Sequence, residues 1–296
     1  MRRFWAHAAA AALTATACGT HAQEGWRPFF SITPAWQGSA DLDQGGDFKA
    51  WAALVRGGTS GPIGGGHRAG VTLTYDYYDF DFSGRNTFGA GPWNIVQRLG
   101  VAVPFVFQGP NDWSFGLTPS VDWFRENGAS WGDSAAYGAY VSATKTFAPD
   151  KRLGFGVGVF SRIEETSVFP IVIVDWRFND RWRLINPLPA GPSGPAGLEL
   201  DYRFDDNWSF GVGGAWRSLR FRLAENGPFP NGVGEERGVP VFFRATRSFS
   251  RDSALHLYAG ALVGGELRVE DSNGDNRRSD DFDPAPLLGA TFTMRF

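Results

Sequence analysis

The sequence WSFGLTPSVDW, residues 113–123, sorts its side chains into two sets that alternate along the chain. Its odd positions carry Trp, Phe, Leu, Pro, Val and Trp, whereas its even positions carry only Ser, Gly, Thr, Ser and Asp. Because successive side chains of a β-strand point to opposite faces, this alternation predicts a strand with one apolar and one polar face. About ten residues of this pattern are typical of a strand that crosses a membrane in a β-barrel.

The same period of two recurs elsewhere, for example at 153–159, 174–178 and 198–204, where Gly, Asp, Glu or Arg alternate with apolar residues. We predict fourteen strands, at about 26–36, 47–56, 67–80, 94–107, 113–125, 135–147, 152–164, 167–178, 181–186, 196–204, 208–223, 238–249, 253–269 and 285–296. Twelve strands is the alternative, because 47–56 and 181–186 are the weakest segments. The fold class is therefore an all-β, transmembrane, antiparallel up-and-down β-barrel.

The connections between the predicted strands fall into two classes. Five are short, and in each an aromatic residue ends one strand before a few Asn, Asp, Pro or Ser residues: 107–113, 147–153, 178–182, 204–208 and 249–255. Longer polar connections lie between them, at 81–93, 126–134, 187–196, 224–238 and 270–284. Outer-membrane barrels have short periplasmic turns and long external loops, so this alternation predicts both ends of the chain in the periplasm.

The composition excludes several other classes of protein. Gly 39, Phe 26 and Trp 12, against Met 2 and Cys 1, favour a β-rich chain. A net charge of -3 with 20% charged residues gives no basic footprint for nucleic acid. After residue 22, no run of 18 apolar residues occurs, which excludes a transmembrane helix.

The first 22 residues are typical of a secretory signal peptide. Arg2 and Arg3 precede an apolar stretch at 8–17, and Thr20-His21-Ala22 offers a cleavage site. The only cysteine, Cys18, lies inside this segment, so the mature chain has no thiol chemistry. We expect 1–22 to be removed and 23–296 to form a single barrel domain in the outer membrane of a Gram-negative envelope.

The last strand resembles the terminal assembly signal of outer-membrane barrels. Leu288, Ala290, Phe292 and Met294 share one face, and the chain ends on the aromatic Phe296. The resemblance implies that the barrel-assembly machinery binds 285–296, and that the mature protein contacts membrane lipid and lipopolysaccharide.

A second resemblance covers residues 175–223, DWRFNDRWRLINPLPAGPSGPAGLELDYRFDDNWSFGVGGAWRSLRFRL. This stretch is similar to a group of uncharacterised proteobacterial outer-membrane barrels of porin-like type. The likeness implies a cellular compartment and no activity, and no functional residue is carried over from it.

One strand breaks the regular pattern. In 208–223, Trp208, Phe210 and Val212 have one parity, whereas Leu219 and Phe221 have the other. A β-bulge would account for this change of face, and so would an extension of the strand beyond the membrane.

The alternation also predicts which charged side chains point into the barrel. The candidate lumen-lining residues are Asp122, Asp175, Arg177, Glu199, Asp201, Arg203, Arg217, Arg244, His256, Glu266 and Arg268. One interpretation is a water-filled pore whose charges select polar solutes. The other is a set of cross-strand ion pairs that stiffen the wall, for which the guanidinium group of arginine is well suited.

Catalytic and cofactor motifs are weak. No serine lies at a catalytic spacing from His67 or His256, and no zinc, phosphate-loop or dinucleotide motif occurs, so neither an enzyme nor a cofactor is expected. The acidic segment 271–283 has oxygen ligands at alternating positions, but its glycine is misplaced for an EF-hand and no glutamate closes the motif. An exposed hairpin turn is favoured there over a calcium site.

These features give three functional hypotheses. The first is a passive pore or channel for small polar solutes, because the predicted inner face is charged and the loops are long. The second is a nonconducting structural or scaffold barrel whose lumen is filled. The third is a lipid-modifying enzyme of the outer membrane.

Overall fold

A computed structural model describes residues 25–89, 91–275 and 277–296. The strands are β1 Arg27–Asp41, β2 Asp47–Gly64, β3 His67–Ser83, β4 Ile95–Ala102, β5 Phe105–Gln108, β6 Trp113–Glu126, β7 Ala135–Ala148, β8 Lys151–Arg162, β9 Glu165–Arg177, β10 Trp182–Ile185, β11 Gly197–Arg203, β12 Trp208–Ala215, β13 Arg217–Arg222, β14 Val233–Ser248, β15 Ser253–Glu270, β16 Arg278–Phe282 and β17 Ala285–Arg295. A 3₁₀ turn spans Gly132–Ser134. No helix in the described part of the chain is long and apolar enough to cross a membrane.

The strands form a closed antiparallel barrel, because β1 pairs with β2 on one side and with β17 on the other. Three wall strands are each interrupted once, between β4 and β5, β12 and β13, and β16 and β17. Within the described residues the wall therefore has fourteen strands, which confirms the predicted fold and number. Both weak segments are present, as β2 and β10. The predicted signal peptide at 1–22 lies outside the described residues.

The two faces of the wall differ as the alternation predicts. Apolar side chains such as Phe155, Val172, Leu198 and Val212 are exposed on the outside. Backbone groups in hydrocarbon must be paired within the protein, and a closed wall with an apolar outer belt meets that requirement.

The two ends of the barrel differ in their connections. We call the end that carries Arg27 and Arg295 the terminal end, and the opposite end the loop end. At the terminal end, β2 and β3 are joined through Gly64, Gly65 and Gly66, whose φ angles of 95°, 60° and 78° favour glycine. The predicted alternation of turn lengths is incomplete, because β8 and β9 are joined at the loop end by a tight turn at 163–164.

Two predicted external loops are partly strand. The segment 224–238 contains the start of β14 at Val233, and 270–284 contains β16. Their polar residues predict loops, but strands that extend past the membrane also carry polar side chains on their outer face. The alternation of apolar and polar residues therefore changes where water replaces lipid outside the wall, although the strand itself continues.

The extension of β12 into β13 crosses the loop end of the barrel. Trp216 lies outside the ladder, and beyond it Arg222 of β13 pairs in parallel with Arg125 of β6. In the closed wall, β6 and β12 are separated by five other strands. We call β13, with the part of β14 that pairs with it (Val233–Gly238), the ribbon. Leu219 and Phe221 lie on the same inward face of the strand as Gly211 and Gly213, so no bulge reverses the strand between them. The apolar residues change from the outer to the inner face because the strand extends beyond the membrane.

An apolar core fills the loop end of the barrel beneath the ribbon. Phe48, Phe221 and Leu262 are fully buried there. Phe48 packs edge-on against Phe282 with 4.9 Å between ring centroids, and Trp93 packs in the same way against Phe221 at 5.1 Å. Burying one such side chain stabilises the fold by about 1.5–3 kcal/mol. This core is not predicted from the sequence, because its residues lie in segments whose polar residues predict loops or on strands whose apolar face is expected to meet lipid.

Candidate functional site: the barrel lumen

A charged triad lines the lumen beside β3, β4 and β6. The Arg98 guanidinium donates to Asp122 Oδ1 at 2.8 Å and lies 3.5 Å from Asp76 Oδ2. Asp76 is buried, whereas 31% of the Arg98 side chain is accessible although it lies inside the barrel. The lumen on this side is therefore open enough for water to contact the arginine.

A second group of charges lies near the terminal end. The Arg183 guanidinium donates two hydrogen bonds of 2.7 Å to the two oxygens of Asp175, and Arg152 lies 3.9 Å from the same carboxylate. Arg177 and Arg203 line a neighbouring pocket of about 240 Å³ at this end. Two of the arginines here, Arg152 and Arg183, remain about half exposed, so they face the open mouth of the barrel.

The middle of the lumen contains a buried network centred on Arg244. Its guanidinium donates to Glu199 Oε1 at 2.6 Å and to Asp201 Oδ1 at 2.8 Å. A hydrogen bond of 2.8 Å joins Thr246 Oγ1 to Nδ1 of His256, which lies 3.2 Å from the guanidinium. Among the described residues, Oε2 of Glu199 has no hydrogen-bond partner. The network therefore links β11, β14 and β15 across the inner face of the wall.

Arg217 belongs to a third group, below the apolar core. Its guanidinium donates to Gln37 Oε1 at 2.7 Å and to Glu236 Oε2 at 3.1 Å, while Gln37 Nε2 donates to Glu236 Oε1 at 2.8 Å. All three side chains are largely buried, so this group joins β1 to the ribbon. Glu236 and Gln37 are not among the predicted lumen residues, because the polarity of 224–238 predicts a loop and Gln37 follows the predicted end of the first strand.

The connection 186–196 enters the lumen, contrary to the prediction that 187–196 is an external loop. The Ala190 carbonyl accepts a hydrogen bond of 2.7 Å from Thr33 Oγ1, and the Pro189 carbonyl accepts one from the Arg56 guanidinium. Ser193 is fully buried. We call this segment the lumen loop. Its four prolines and two glycines prevent a regular strand, and lumen side chains satisfy its carbonyl groups instead.

The lumen loop fills one side of the barrel only. Thr33 and Thr291, on β1 and β17, have no accessible surface, and Tyr258 of β15 is buried beside Gly191. Arg98 of β4, three strands along the wall from β1, remains accessible. The lumen is therefore filled along β1, β15 and β17 and more open along β4.

Glu266 and Arg268 do not line the lumen, so this part of the prediction is wrong. Arg237 pairs with Glu266 and Val239 with Val263, which leaves two residues of β15 opposite one of β14. One of the two is Gly264, with φ 57°. This bulge reverses the parity of β15: Leu267 points into the core, and Glu266 and Arg268 point outward. They form ion pairs with Arg237, Arg277 and Glu235.

The charged side chains around Glu266 lie on a part of the outer surface that is beyond the membrane, because charged side chains on a lipid-facing surface are costly. Burial of Glu266 would raise the pKa of its carboxyl group, but hydrogen bonds from Arg268 and Arg237 outweigh that effect and lower the pKa to about 2. The carboxylate is therefore held ionised by its arginine neighbours.

The acidic segment 271–283 is a turn followed by strand β16. The Asp271 carboxylate accepts hydrogen bonds from the amides of Asn273 and Asp275, at 3.0 and 2.9 Å. Among the described residues, which omit Asn276, no cluster of three or more acidic, His or Cys side chains could hold a metal ion.

No family model matches the sequence. No curated protein matches it either. The structure is similar to a crystallised outer membrane channel from Pseudomonas putida, with 9% identity, a TM-score of 0.50, and coverage of 94% of this chain and 97% of that chain. It also resembles the Pseudomonas putida toluene transporter TodX, with 9% identity, a TM-score of 0.43, and coverage of 93% and 91%. The first likeness shows the fold, which is that of an outer-membrane barrel. The apolar outer belt is the surface of a barrel that spans a membrane.

Proposed function

We propose that this chain is an outer-membrane channel for small polar solutes and not an enzyme. The observation that supports this function is the uneven filling of the lumen: the lumen loop packs against β1, β15 and β17, while Arg98 of β4 stays accessible. The Arg98–Asp122 pair and the Arg183–Asp175 pair would present both signs of charge to a passing solute, which suits polar molecules of no single charge.

We also propose a family, an assembly partner and an export route for this chain. The resemblance over 175–223 supports membership of the proteobacterial barrel group. The terminal strand 285–296 supports recognition by the assembly machinery, and the 1–22 segment supports export before assembly.

Planar-bilayer recording tests the channel directly. We expect the mature protein, refolded into lipid, to open discrete conductance steps. Replacing 188–193 by a shorter Gly-Ser linker removes part of the lumen loop and should raise the size of each step. A matched replacement in the 271–275 turn, which lies outside the lumen, should leave the step size unchanged.

A nonconducting scaffold barrel is the second candidate. It is supported by the apolar core and the ribbon, which close the loop end with packed side chains. A folded preparation in which neither the wild type nor the linker variant opens any step would favour the scaffold and contradict the channel.

A further inference from the structure

The wall of the barrel is incomplete beside β9. Its ladder with β10 contains only the pairs formed by Asp175, Trp176 and Arg177. Among the described residues, no strand pairs with that edge of β9 above Asp175, whereas its other edge pairs with β8 along its whole length. The chain leaves the wall after Ile185, when it enters the lumen as the lumen loop.

Asn186 forms the lower border of this gap. Its side-chain amide donates to the carbonyls of Val172 and Gly197, at 2.8 and 2.9 Å, and its Oδ1 accepts from the amide of Val174. Even-numbered residues of β9 therefore direct their backbone groups toward the gap, and the next of them is Pro170, which has no N–H to leave unpaired. Proline is found at strand edges for this reason.

The ribbon forms the upper and far borders. Above Trp216, β13 turns across the barrel toward β6, and no described residue of β13 pairs with β9. Arg162 donates to Ser218 Oγ at 2.9 Å, and Arg220 donates to the Ile163 carbonyl at 2.8 Å. The gap therefore lies between β9 and the junction of β12 with β13, below these two bonds.

An open strand edge is not tolerated against hydrocarbon, but it does occur where it lines a cavity. The outer rim of the gap is apolar, since Val168, Val172 and Trp216 are exposed on the outer surface by 65%, 60% and 50%. An opening with this rim lies in the lipid-facing belt of the wall.

The inner rim is also apolar, unlike the charged parts of the lumen around Arg98, Arg183 and Arg244. Phe169 of β9 packs against Tyr140 and Phe160, with ring centroids 5.6 and 5.9 Å apart. Ile171 and Ile173 continue this inward face. A polar solute would lose its hydration on such a surface without gaining hydrogen bonds, whereas an apolar molecule would lose nothing.

We propose that the gap between β9 and the β12–β13 junction is a lateral window through which small apolar molecules pass between the lumen and the lipid. The proposal rests on the proposed channel function and adds a second class of solute and a second route. Polar solutes use the mouth at the terminal end, and apolar solutes use the window.

Lipid contact with the inner rim provides the first test. The mature chain has no cysteine, because its single cysteine is Cys18, so one labelled thiol can be placed at will. Ile171→Cys carries a fluorophore on the inner rim, and Ser142→Cys carries one on the inner face of β7 behind intact wall. In vesicles of brominated phosphatidylcholine, we expect quenching of the Ile171 label to exceed that of the Ser142 label several-fold. Equal quenching at the two sites would overturn the window.

Entry of an apolar dye provides the second test. Cells that make the wild-type protein should take up N-phenyl-1-naphthylamine faster than cells with an empty vector. Ile171→Trp narrows the inner rim and should return the rate toward that of the vector, while Val157→Trp, on the lipid face of intact wall, should not. An unchanged rate for the folded Ile171→Trp variant would contradict the window.

The two proposals fail separately. A barrel that opens no conductance steps but accelerates dye entry in an Ile171-dependent manner would remove the polar channel and keep the window. A barrel that conducts ions but leaves dye entry at the vector rate would remove the window and keep the polar channel.

Discussion

Removing the positive charge at Arg244 should strongly destabilise the barrel. The Glu199 side chain has no accessible surface, and its only hydrogen bond among the described residues comes from Arg244 at 2.6 Å. Asp201 is 16% accessible and receives the second bond. Breaking a buried ion pair by removing one partner costs about 3–5 kcal/mol, since it leaves an uncompensated buried charge. We expect Arg244→Met to lower the free energy of unfolding by that amount.

Urea unfolding of the protein in phosphatidylcholine vesicles at neutral pH measures this loss, provided that the m-value is unchanged. The double variant Arg244→Met/Glu199→Gln removes the buried charge, and it should recover much of the stability. Arg247→Met, whose guanidinium lies 5.2 Å from the Trp208 ring, is the matched control and should cost about 1 kcal/mol or less. A loss for Arg244→Met no larger than that of the control, or no recovery in the double variant, would refute the argument.

Three further perturbations test other parts of the structure by the same unfolding assay. Val157→Arg places a charge on the lipid face and should cost about 2–4 kcal/mol, whereas Ser142→Arg on the inner face of the neighbouring strand should cost much less; equal losses would contradict the assignment of the two faces. Glu266→Gln should destabilise the protein at neutral pH, because the pKa of this carboxyl group is lowered to about 2 in the folded protein. The ionised Glu266 carboxylate stabilises the folded protein fully above the pKa that this group has in the unfolded chain. This stabilisation declines as the pH falls from there to about 2, so the stability difference between wild type and variant should become smaller in acid. A difference that does not depend on pH would contradict the ion pairs. Gly265→Ala would drive a methyl group into the Phe282 ring and should cost about 1–3 kcal/mol, while Gly214→Ala, whose Cβ would meet its nearest neighbour at 3.5 Å, should cost less.

The strand pattern could be predicted because membrane strands repeat one simple rule. Each side chain of 113–123 faces either the lipid or the lumen, so the polarity of a residue indicates directly which way its side chain points. The start of β1 was placed within one residue and that of β2 at the observed residue, and the short strand β10 was found from the aromatic residues at its border. Where the outer solvent is hydrocarbon, local sequence is sufficient.

The rule fails beyond the membrane, where water replaces lipid outside the wall. There the apolar side chains of Leu219 and Phe221 point inward, and the polar side chains point outward. An apolar residue therefore indicates the inner face beyond the membrane, whereas it indicates the outer face within the membrane. The error at Glu266 and Arg268 has a different origin. A single extra residue at Gly264 reverses the parity, and a glycine in a strand indicates a bulge only weakly when the chain has so many of them.

The lumen contacts could not be predicted because they join distant parts of the chain. The polar composition of 187–196 predicts a connection between two strands, but not that this connection turns into the lumen. The partners of the Ala190 and Pro189 carbonyls are Thr33 and Arg56, on the first two strands of the chain. Which of the inward arginines meets which carboxylate likewise depends on barrel diameter and register.

The parallel bridge between Arg222 and Arg125 has a consequence for the order of assembly. Nearly every other contact in the wall joins strands that are consecutive in the chain or close the circle, so those hairpins can form early with little loss of chain entropy. The ribbon can reach β6 only after the intervening hairpins have curved the sheet enough to bring the two strands together. The ribbon therefore docks on β6 last during folding, and the same contact should be the first to open when the protein is heated.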